Sequence, residues 1–278
     1  MKLKEIFYGL GLKPATREYT FDIKKFNLEK EGEIDFAVWR HPSEKPKNFT
    51  QAGVDALRSF LSKGDFAVDI GAHTGDSTLP IALAVGPTGG VLALEPNPHV
   101  YKVLLANTGL NKTKSQIYPL MFAAMPEDGE YEFEYSDSGF CNGGLHKDIS
   151  TWKHAHFFRL RVQGRNLVAY IKRELPGIFS KIRYVKIDTE GFDPDVAESI
   201  LELLEKNRPF IKTEIYKHLP AERRITYYRR LRSLGYTVHR WQNDEDYCGQ
   251  ILSDKDMTRW IHFDVFAVPE RSAASEST

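Results

Sequence analysis

The chain has 278 residues, of which 41% are apolar and 27% are charged, values typical of a globular protein. The 38 basic side chains equal the 38 acidic ones, so there is no net charge to attract nucleic acid or an anionic membrane surface. Two cysteines are too few for a disulfide framework, and no apolar run reaches the length of a membrane span, so we expect a cytoplasmic protein with reduced thiols.

The first predicted elements form an antiparallel hairpin, Tyr19–Phe26 and Glu33–Arg40, joined by a charged turn at Gly32. Beyond it, strand patterns alternate with segments of helical spacing. The main strands are predicted at Phe66–Ile70, Gly90–Glu95, Gln116–Ala123, Tyr184–Asp188, Phe210–Ile215, Tyr236–Trp241 and His262–Val268, and exposed antiparallel strands at Tyr131–Tyr135 and Phe158–Val162. The helices are predicted at Gln51–Ser62, from about Asp76, and at Pro98–Asn107, Leu167–Glu174, Pro194–Lys206 and Ala221–Leu234.

This alternation indicates both the architecture and the domain organisation. Helical crossovers between strands imply an α/β fold with a mostly parallel sheet, and the irregular connection between the last two strands implies that one of them runs antiparallel. We expect an N-terminal extension over residues 1–50, one domain over 51–268 and a disordered tail over 269–278. Within the domain, the glycine-rich segment 137–156 is a candidate lid or acceptor wall.

The segment FAVDIGAHTGDSTLPIA, Phe66–Ala82, has the glycine-rich strand-to-helix join of a nucleotide-binding site. A dinucleotide fingerprint would need glycine at positions 71, 73 and 76, but Gly71 is followed by His73 and Asp76. The histidine would obstruct the pyrophosphate, and the aspartate would repel it at the helix N-terminus. The pattern therefore excludes an NAD site, because one side chain blocks the pyrophosphate and the other repels it.

What remains, Asp69, Gly71 and Gly75, suits a ligand with an adenosine and a cationic centre but no phosphate. Glu95 ends the second predicted strand 20 residues beyond Gly75, where a carboxylate accepts hydrogen bonds from ribose hydroxyls. S-adenosylmethionine meets these terms, with S-adenosylhomocysteine as its product. The alternative for Glu95 is a capping role at the helix that begins near Pro98.

Four motifs in order along the chain, DIGAHTG, LALEPNP, YVKIDTEGFDPDV and PFIKTEIY, resemble those of the FkbM family of class I S-adenosylmethionine-dependent methyltransferases. The resemblance covers about Val54–Val268 and implies a Rossmann-like, seven-stranded sheet with an antiparallel terminal strand. It also implies O-methylation of hydroxyls on sugars, polyketides or similar metabolites. The chain departs from the family pattern at His73, Thr189 and Asp193–Pro194, where asparagine, valine and a second glutamate are usual, and in Val162–Leu167, which lacks the usual Leu-Asp pair.

The predicted cofactor site combines the glycine turn with the ends of neighbouring strands. We expect the methionine part over the glycine turn, the ribose at Glu95, and the adenine against small and apolar side chains near Phe122 and Ala123. Asn142 is expected at the amino-acid end of the cofactor. The full predicted set is Asp69, Gly71, Ala72, His73, Gly75, Ser77, Thr78, Glu95, Pro96, Asn97, Ala123, Ala124, Asn142 and Asp188.

Methyl transfer depends mainly on positioning, and an alcohol acceptor also benefits from a base or a metal ion. Asp188 and Glu190 follow the fourth of the main parallel strands and Glu214 lies near the end of the fifth, so one cleft would hold the three carboxylates. Asp188 is the first candidate for orienting the cofactor or the acceptor, Glu190 is the second, and Glu214 is a candidate base or metal ligand. His73 is a further candidate base, although helix caps and local hydrogen bonds are the alternative roles for all four.

Three histidines and one basic helix leave other interpretations open. His146, His154 and His156 include an H-x-H pair, but no acid stands at ligand spacing, so we predict no metal site, although a divalent metal would be compatible with the chemistry. The segment Arg223–Tyr236 would line a groove if the acceptor were RNA, but a solvated helix face is favoured. We expect a small-molecule or glycan acceptor, with RNA or protein methylation, or a cofactor-binding module without transfer activity, as alternatives.

Overall fold

The structure is a computed structural model that describes residues 14–139, 141, 143–145 and 158–270. Its strands are β1 Phe21–Leu28, β2 Gly32–Trp39, β3 Phe66–Ile70, β4 Gly90–Leu94, β5 Ile117–Leu120, β6 Ala123–Ala124, β7 Gly129–Tyr135, β8 Gly143–Gly144, β9 Phe158–Arg165, β10 Ile182–Ile187, β11 Phe210–Ile215, β12 Tyr236–Arg240 and β13 Phe263–Pro269. Its α-helices are α1 Gln51–Arg58, α2 Thr78–Val85, α3 Pro98–Leu110, α4 Leu167–Glu174, α5 Asp193–Ser199, α6 Leu201–Asn207 and α7 Ala221–Ser233. Among these described helices, none combines the length and the apolar character needed to cross a bilayer.

Seven strands form the central sheet, in the order β12-β13-β11-β10-β3-β4-β5. β13 runs antiparallel to both of its neighbours, and the other neighbouring pairs are parallel. This direction agrees with the connection, because the segment 241–262 between β12 and β13 contains only a short 3-10 turn at Asp254–Thr258, whereas parallel strands are usually joined through an α-helix. The predicted α/β fold, with a mostly parallel seven-stranded sheet and an antiparallel terminal strand, is confirmed.

The middle strands of this sheet are the most deeply buried. Every residue of β3 and β4 is buried, as expected for strands covered by helices on both faces. Their sequences, FAVDI and GVLAL, are apolar except for Asp69. Because a buried carboxylate is costly without partners, Asp69 must be paired inside the protein.

Two predicted elements are each divided in the structure, so their predicted bounds are wrong. The strand predicted over Gln116–Ala123 ends with β5, and the chain bends at Met121–Phe122 before β6 pairs with β9 in a second sheet. The cause is tertiary, since the buried Phe122 ring packs against Tyr170 of α4. The helix predicted over Pro194–Lys206 is α5 and α6, separated at the fully buried Ile200, whose φ of −108° and ψ of 17° lie outside the helical range.

The second sheet has four strands in the order β6-β9-β7-β8. β7 and β9 are antiparallel from the pair Tyr135 and Phe158 to the pair Gly129 and Gly164, as the alternating patterns predicted. The buried side chains of this sheet, including Phe133 and both aromatic residues of the first pair, share a core with the central sheet. The second sheet is therefore part of the same folded body and stands beside the sheet edge that carries the site.

The N-terminal hairpin is formed by β1 and β2, which pair antiparallel. Buried Asn107 of α3 fixes it, because its side chain bonds to the backbone N–H and carbonyl of Ala37 at 2.6 and 3.1 Å and to the carbonyl of Thr74 at 2.8 Å. Asn111 bonds in the same way to Asp35. The hairpin is thus attached to the helix after β4 and to the glycine turn, while the division of the chain at residue 50 stays a prediction.

Candidate active site

A cavity of about 750 Å³ lies at the carboxyl ends of β3, β4 and β10. Open parallel sheets bind ligands at this edge, in agreement with the sequence prediction. The cavity walls come from the glycine turn after β3, the segment after β4, the second sheet and the turn after β10. A further wall is the segment Ser43–Thr50, which belongs to the predicted N-terminal extension and which the sequence did not indicate as part of the site.

The structure brings most of the predicted site residues to this cavity. The predicted cofactor residues that line it are Gly71, His73, Ser77, Glu95, Pro96, Asn97, Ala123, Ala124 and Asp188, and the predicted catalytic residues that line it are His73, Asp188 and Glu190. Those that do not line it are Asp69, Ala72, Gly75, Thr78 and Glu214. Asn142, His146, His154, His156 and most of the predicted lid lie outside the described residues.

Gly71, directly after β3, packs against Asp188, directly after β10. Its φ is +80°, and a Cβ at this position would lie 2.0 Å from the carbonyl oxygen of Asp188. Only glycine tolerates both this backbone conformation and this approach. The first glycine of the motif is therefore required by the contact between β3 and β10, before any ligand is considered.

Asp69 lies inside the protein, where it holds the start of α2. Its Oδ2 accepts hydrogen bonds from the hydroxyls of Ser77 and Thr78, both at 2.7 Å, and its Oδ1 lies 3.3 Å from Lys186 Nζ. The carboxylate is fully buried, so these partners replace the solvent. Asp69 and Thr78 therefore shape the turn from behind the cavity wall.

Lys186 is a site residue that the sequence reading missed. It lies in β10, and its Nζ is 3.3 Å from both Asp69 Oδ1 and Asp188 Oδ2 and 3.5 Å from the carbonyl of Gly71. Burial opposes its charge, but Asp69 and Asp188 outweigh burial and raise the pKa of Lys186 above its ordinary range. The signal was a lysine in the otherwise apolar strand YVKI, which needs acidic partners to be buried.

Glu95 stands at the end of β4 with both carboxylate oxygens oriented by backbone groups. Oε2 accepts a hydrogen bond from the N–H of His73 at 3.0 Å, and Oε1 accepts one from the N–H of Asn97 at 2.9 Å. Burial raises the pKa of Glu95 to about 7, and these two bonds act against the rise. An ionised carboxylate has about four acceptor positions, so capacity for two ligand hydroxyls remains.

Asp188 and Glu190 follow β10 and differ in their ionisation. Enclosure in the cavity raises the pKa of Asp188, but Lys186 and Lys212 outweigh it, so the pKa is lowered overall. Burial and the negative charge of Asp188 raise the pKa of Glu190 to about 7, against a hydrogen bond with Tyr216. Glu190 also has a φ of +54°, which non-glycine residues seldom adopt. At neutral pH, Asp188 is therefore ionised, whereas Glu190 is close to its pKa.

The sequence model described as "Methyltransferase FkbM domain" matches residues 69–242, more than half of the chain, and this range includes the glycine turn, the segment after β4 and the turn after β10. The chain belongs to the FkbM methyltransferase family. It is an S-adenosylmethionine-dependent methyltransferase with the Rossmann-like class I fold that the sequence predicted. A comparison with curated proteins found no match.

Solved structures resemble this FkbM methyltransferase at low identity. Methyltransferase FkbM from Methylobacillus flagellatus KT is 15% identical with a TM-score of 0.44, covering 74% of this chain and 44% of that one, so this chain spans less than half of that protein. Fibrillarin from Aeropyrum pernix, crystallised with S-adenosyl-L-methionine, is 11% identical with a TM-score of 0.43, covering 91% and 97%. Precorrin-6y C5,15-methyltransferase from Geobacter metallireducens GS-15 is 13% identical with a TM-score of 0.42, covering 81% and 92%.

In this FkbM methyltransferase, Asp193 organises the turn that presents Glu190. Its Oδ2 accepts a hydrogen bond from the Thr189 hydroxyl at 2.9 Å, and its Oδ1 accepts bonds from the Thr213 hydroxyl at 3.1 Å and the Glu214 N–H at 3.2 Å. Burial, followed by the charge of Asp188, raises the pKa of Asp193 to about 6. The two departures from the family motif at residues 189 and 193 therefore bond to each other in the methyltransferase.

Glu214 and His73, the other candidate bases of the methyltransferase, have different surroundings. Burial and the carboxylates of Asp188, Asp193 and Glu190 raise the pKa of Glu214 to about 11, which disfavours a base role at neutral pH. His73 has a φ of +50°, and its Nε2 lies 4.0 Å from Cys141 Sγ. Burial lowers the pKa of His73, so its ring is neutral at pH 7.

The segment Ser43–Thr50 brings a second buried cation to the methyltransferase cavity. The Lys47 ammonium contacts Glu44 and lies 2.8 Å from Asp76 Oδ2, and only 7% of the lysine side chain is exposed. Although burial opposes its charge, Asp76 and then Glu44 raise the pKa of Lys47. The sequence signal was slight, because two opposite charges in a proline-containing linker are usually solvated.

Proposed function

We propose that this methyltransferase transfers a methyl group from S-adenosylmethionine to a hydroxyl oxygen of a small metabolite or glycan, with Glu190 as the general base. The observation that carries the proposal is the carboxyl group of Glu190 in the cavity wall, with its pKa raised to about 7 by burial and by Asp188. A general base works best when its pKa is near the working pH. Alcohols are weak acids and therefore gain most from such a group.

The lining of the cavity fits the parts of the cofactor. Glu95 has both oxygens oriented by backbone N–H groups and retains acceptor capacity, as a ribose diol requires. Phe122, Ala123 and Ala124 offer small and apolar side chains for adenine. Asp188 is ionised and accessible in the cavity, where it favours a cationic group. A complex with S-adenosylhomocysteine that places adenine away from Phe122 would contradict this assignment.

When bound, S-adenosylmethionine supplies an electrophilic methyl group on a positively charged sulfur. Glu190 would accept the proton of the acceptor hydroxyl, and its nearness to Asp188 keeps its affinity for that proton high. Asp188 would orient the acceptor or the cofactor's amino group, while Lys186 holds it in place at 3.3 Å. His73, neutral at pH 7, is the second candidate base.

The RNA alternative depends on free arginines in α7, and the described contacts of that helix do not favour it. Four guanidinium groups of the helix form ion pairs with acids of the same chain: Arg223 with Asp195, Arg229 with Asp254, Arg230 with Glu198 and Arg232 with Glu270. The buried Arg224 donates to backbone carbonyls. This supports a small acceptor, and the two cysteines, both free thiols, support a cytoplasmic location as part of the same proposal.

A donor-transfer screen tests the acceptor class. The purified chain would be incubated with methyl-labelled S-adenosylmethionine and separate sets of hydroxylated metabolites, glycans, RNA and protein, with Glu190→Gln run in parallel. We expect label on a hydroxyl of a metabolite or glycan, with little transfer by the variant. Label found on RNA or protein alone would refute the proposed acceptor class.

A further inference from the structure

A second group of ionisable side chains lies beside the cavity, where β11 pairs with β13. Glu214 stands directly opposite Asp264 in this antiparallel pair, and His262 lies just before β13, two residues from Asp264. One nitrogen or oxygen atom from each lies within 4.8 Å of the other two. The closest contact joins His262 Nε2 to Glu214 Oε1 at 3.1 Å.

This arrangement is electrostatically unfavourable when both of its acids are ionised. Carboxylates directly opposite each other on paired strands repel. Lys212 lies 3.1 Å from Asp264 Oδ2, but among the described residues Glu214 forms an ion pair only with His262. The second oxygen, Glu214 Oε2, is buried and has no hydrogen-bond partner among the described residues. Buried polar atoms normally have a partner, so this oxygen has unused capacity for a ligand.

We propose that Glu214, His262 and Asp264 bind a divalent transition-metal ion. Two carboxylates and one imidazole suit Mn²⁺ or Zn²⁺, whereas Mg²⁺ and Ca²⁺ favour oxygen ligands alone. His262 and Asp264 are partly exposed, which leaves room for water in the remaining coordination positions. A cation between the two opposed carboxylates would remove their repulsion and satisfy the buried Oε2. The proposal does not depend on the acceptor of methyl transfer.

The backbone around these ligands is held in place by one buried side chain. Arg224 donates hydrogen bonds to the carbonyls of Trp260 and Ile261 at 2.9 and 2.7 Å, and to the carbonyl of Tyr216 at 2.7 Å. Trp260 and Ile261 directly precede His262, and Tyr216 follows Glu214 by two residues. The ligands therefore stand on a fixed framework, as a metal site requires.

Direct binding of Mn²⁺ tests the proposal without measuring catalysis. The full chain, treated with a chelator and dialysed, would be titrated with Mn²⁺ while electron paramagnetic resonance follows the free ion. We expect one ion per chain. Binding should weaken about 100-fold in Glu214→Gln, His262→Gln and Asp264→Asn, because loss of a residue that only supports a ligand already costs up to about 100-fold. Added Mn²⁺ should also raise the Tm of the wild type and not that of Glu214→Gln.

Two control variants separate this site from other binding. Glu44→Gln alters a second group of the described residues whose ligand atoms lie within 4.8 Å of one another, Glu44, His73 and Cys141, and His99→Gln alters a histidine outside both groups. Both controls should bind Mn²⁺ like the wild type, and circular dichroism would verify that every variant is folded. Absence of binding at millimolar Mn²⁺, binding unchanged in the three ligand variants, or binding lost in Glu44→Gln would overturn the proposal. In that event Glu214 is a buried neutral acid bonded to His262.

Discussion

The proposed cofactor side of the cavity and the proposed acceptor side differ in how their charged groups are paired. On the cofactor side, Asp69 is bonded to two hydroxyls and a lysine, and Glu95 is bonded to two backbone N–H groups. On the acceptor side, burial and the charge of Asp188 raise the pKa of Glu190, and they do the same to the neighbouring Glu214, which does not line the cavity. The first side is already arranged for a ligand of fixed shape, whereas the second retains unfavourable charge.

The difference shows how one cavity can separate binding from chemistry. Hydrogen bonds that are complete before the ligand arrives reduce the cost of ordering the site on binding. When neighbouring carboxylates repel one another, the pKa of at least one of them is held near 7, as a general base requires. Lys186 connects the two sides, because its ammonium contacts both Asp69 and Asp188. Variants of each side should therefore fail in different ways.

The largest effect is expected for Glu190→Gln on the acceptor side. Loss of the base should lower kcat by about 10²–10⁴-fold with a nearly unchanged KM for the donor. The substitution is isosteric, so the Tm should stay near that of the wild type. Steady-state kinetics with the acceptor found by the screen would measure it, with the exposed Glu127→Gln as the matched control. Wild-type turnover in Glu190→Gln would remove the base assignment and make His73 the next candidate.

Gly71→Ala tests the contact that joins the two sides. The new Cβ would lie 2.0 Å from the Asp188 carbonyl at a φ of +80°, so the backbones of β3 and β10 must move apart. We expect a loss of about 3 kcal/mol in the free energy of unfolding. Gly109→Ala is the control, since a Cβ there meets nothing within 4 Å and the position is helical; it should stabilise by up to about 1 kcal/mol. Equal denaturation midpoints for the two variants would refute the steric argument.

Glu95→Ala tests the cofactor side. Loss of its carboxylate should weaken S-adenosylmethionine binding by about 1–3 kcal/mol, while kcat at saturating donor changes little. Glu95→Gln keeps one acceptor oxygen and should lose less. Isothermal titration calorimetry measures both variants, and NAD should give no heat with any of them. Unchanged donor affinity in Glu95→Ala would show that the ribose does not lie at Glu95.

The smallest effect concerns stability and pH. The pKa of Glu190 is raised to about 7 in the fold from an ordinary value of 4.5, so folding favours its neutral form. That contribution is complete below about pH 4.5 and is lost as the pH rises through 7. Glu190→Gln removes this loss, so its free energy of unfolding relative to that of the wild type should be higher at pH 8 than at pH 5, by about 1 kcal/mol after solvent screening. A difference independent of pH would contradict the raised pKa.

Local patterns in the sequence predicted the sheet well and indicated the turn and the strand end that line one side of the cavity. The buried runs around Phe66–Ile70 and Gly90–Glu95 allow few structures other than central parallel strands, and the motif DIGAHTG predicted the turn that begins at Gly71. Glu95 followed from its position at a strand end. The antiparallel direction of β13 was predicted from a connection without a helix, because parallel strands are usually joined by a helical crossover.

Contacts between residues far apart in the chain could not be predicted from the sequence. Lys47 reaches Asp76 across 29 residues from a linker with no periodic pattern. The bend at Met121–Phe122 depends on packing against Tyr170, which no local propensity records. The proton affinity of Glu214 depends on the carboxylates that the fold places around it, so its unsuitability as a base was visible only in three dimensions.

The pH dependence of kcat tests most directly the claim that Asp188 and burial prepare Glu190 as the base. The wild-type rate should rise with pH to a plateau, with its inflection near pH 7, because the base acts only when deprotonated. Asp188→Asn removes a negative neighbour and should move the inflection to lower pH, while Glu190→Gln should leave a low rate without that inflection. A wild-type profile retained in Glu190→Gln, or an inflection that does not move in Asp188→Asn, would contradict the account.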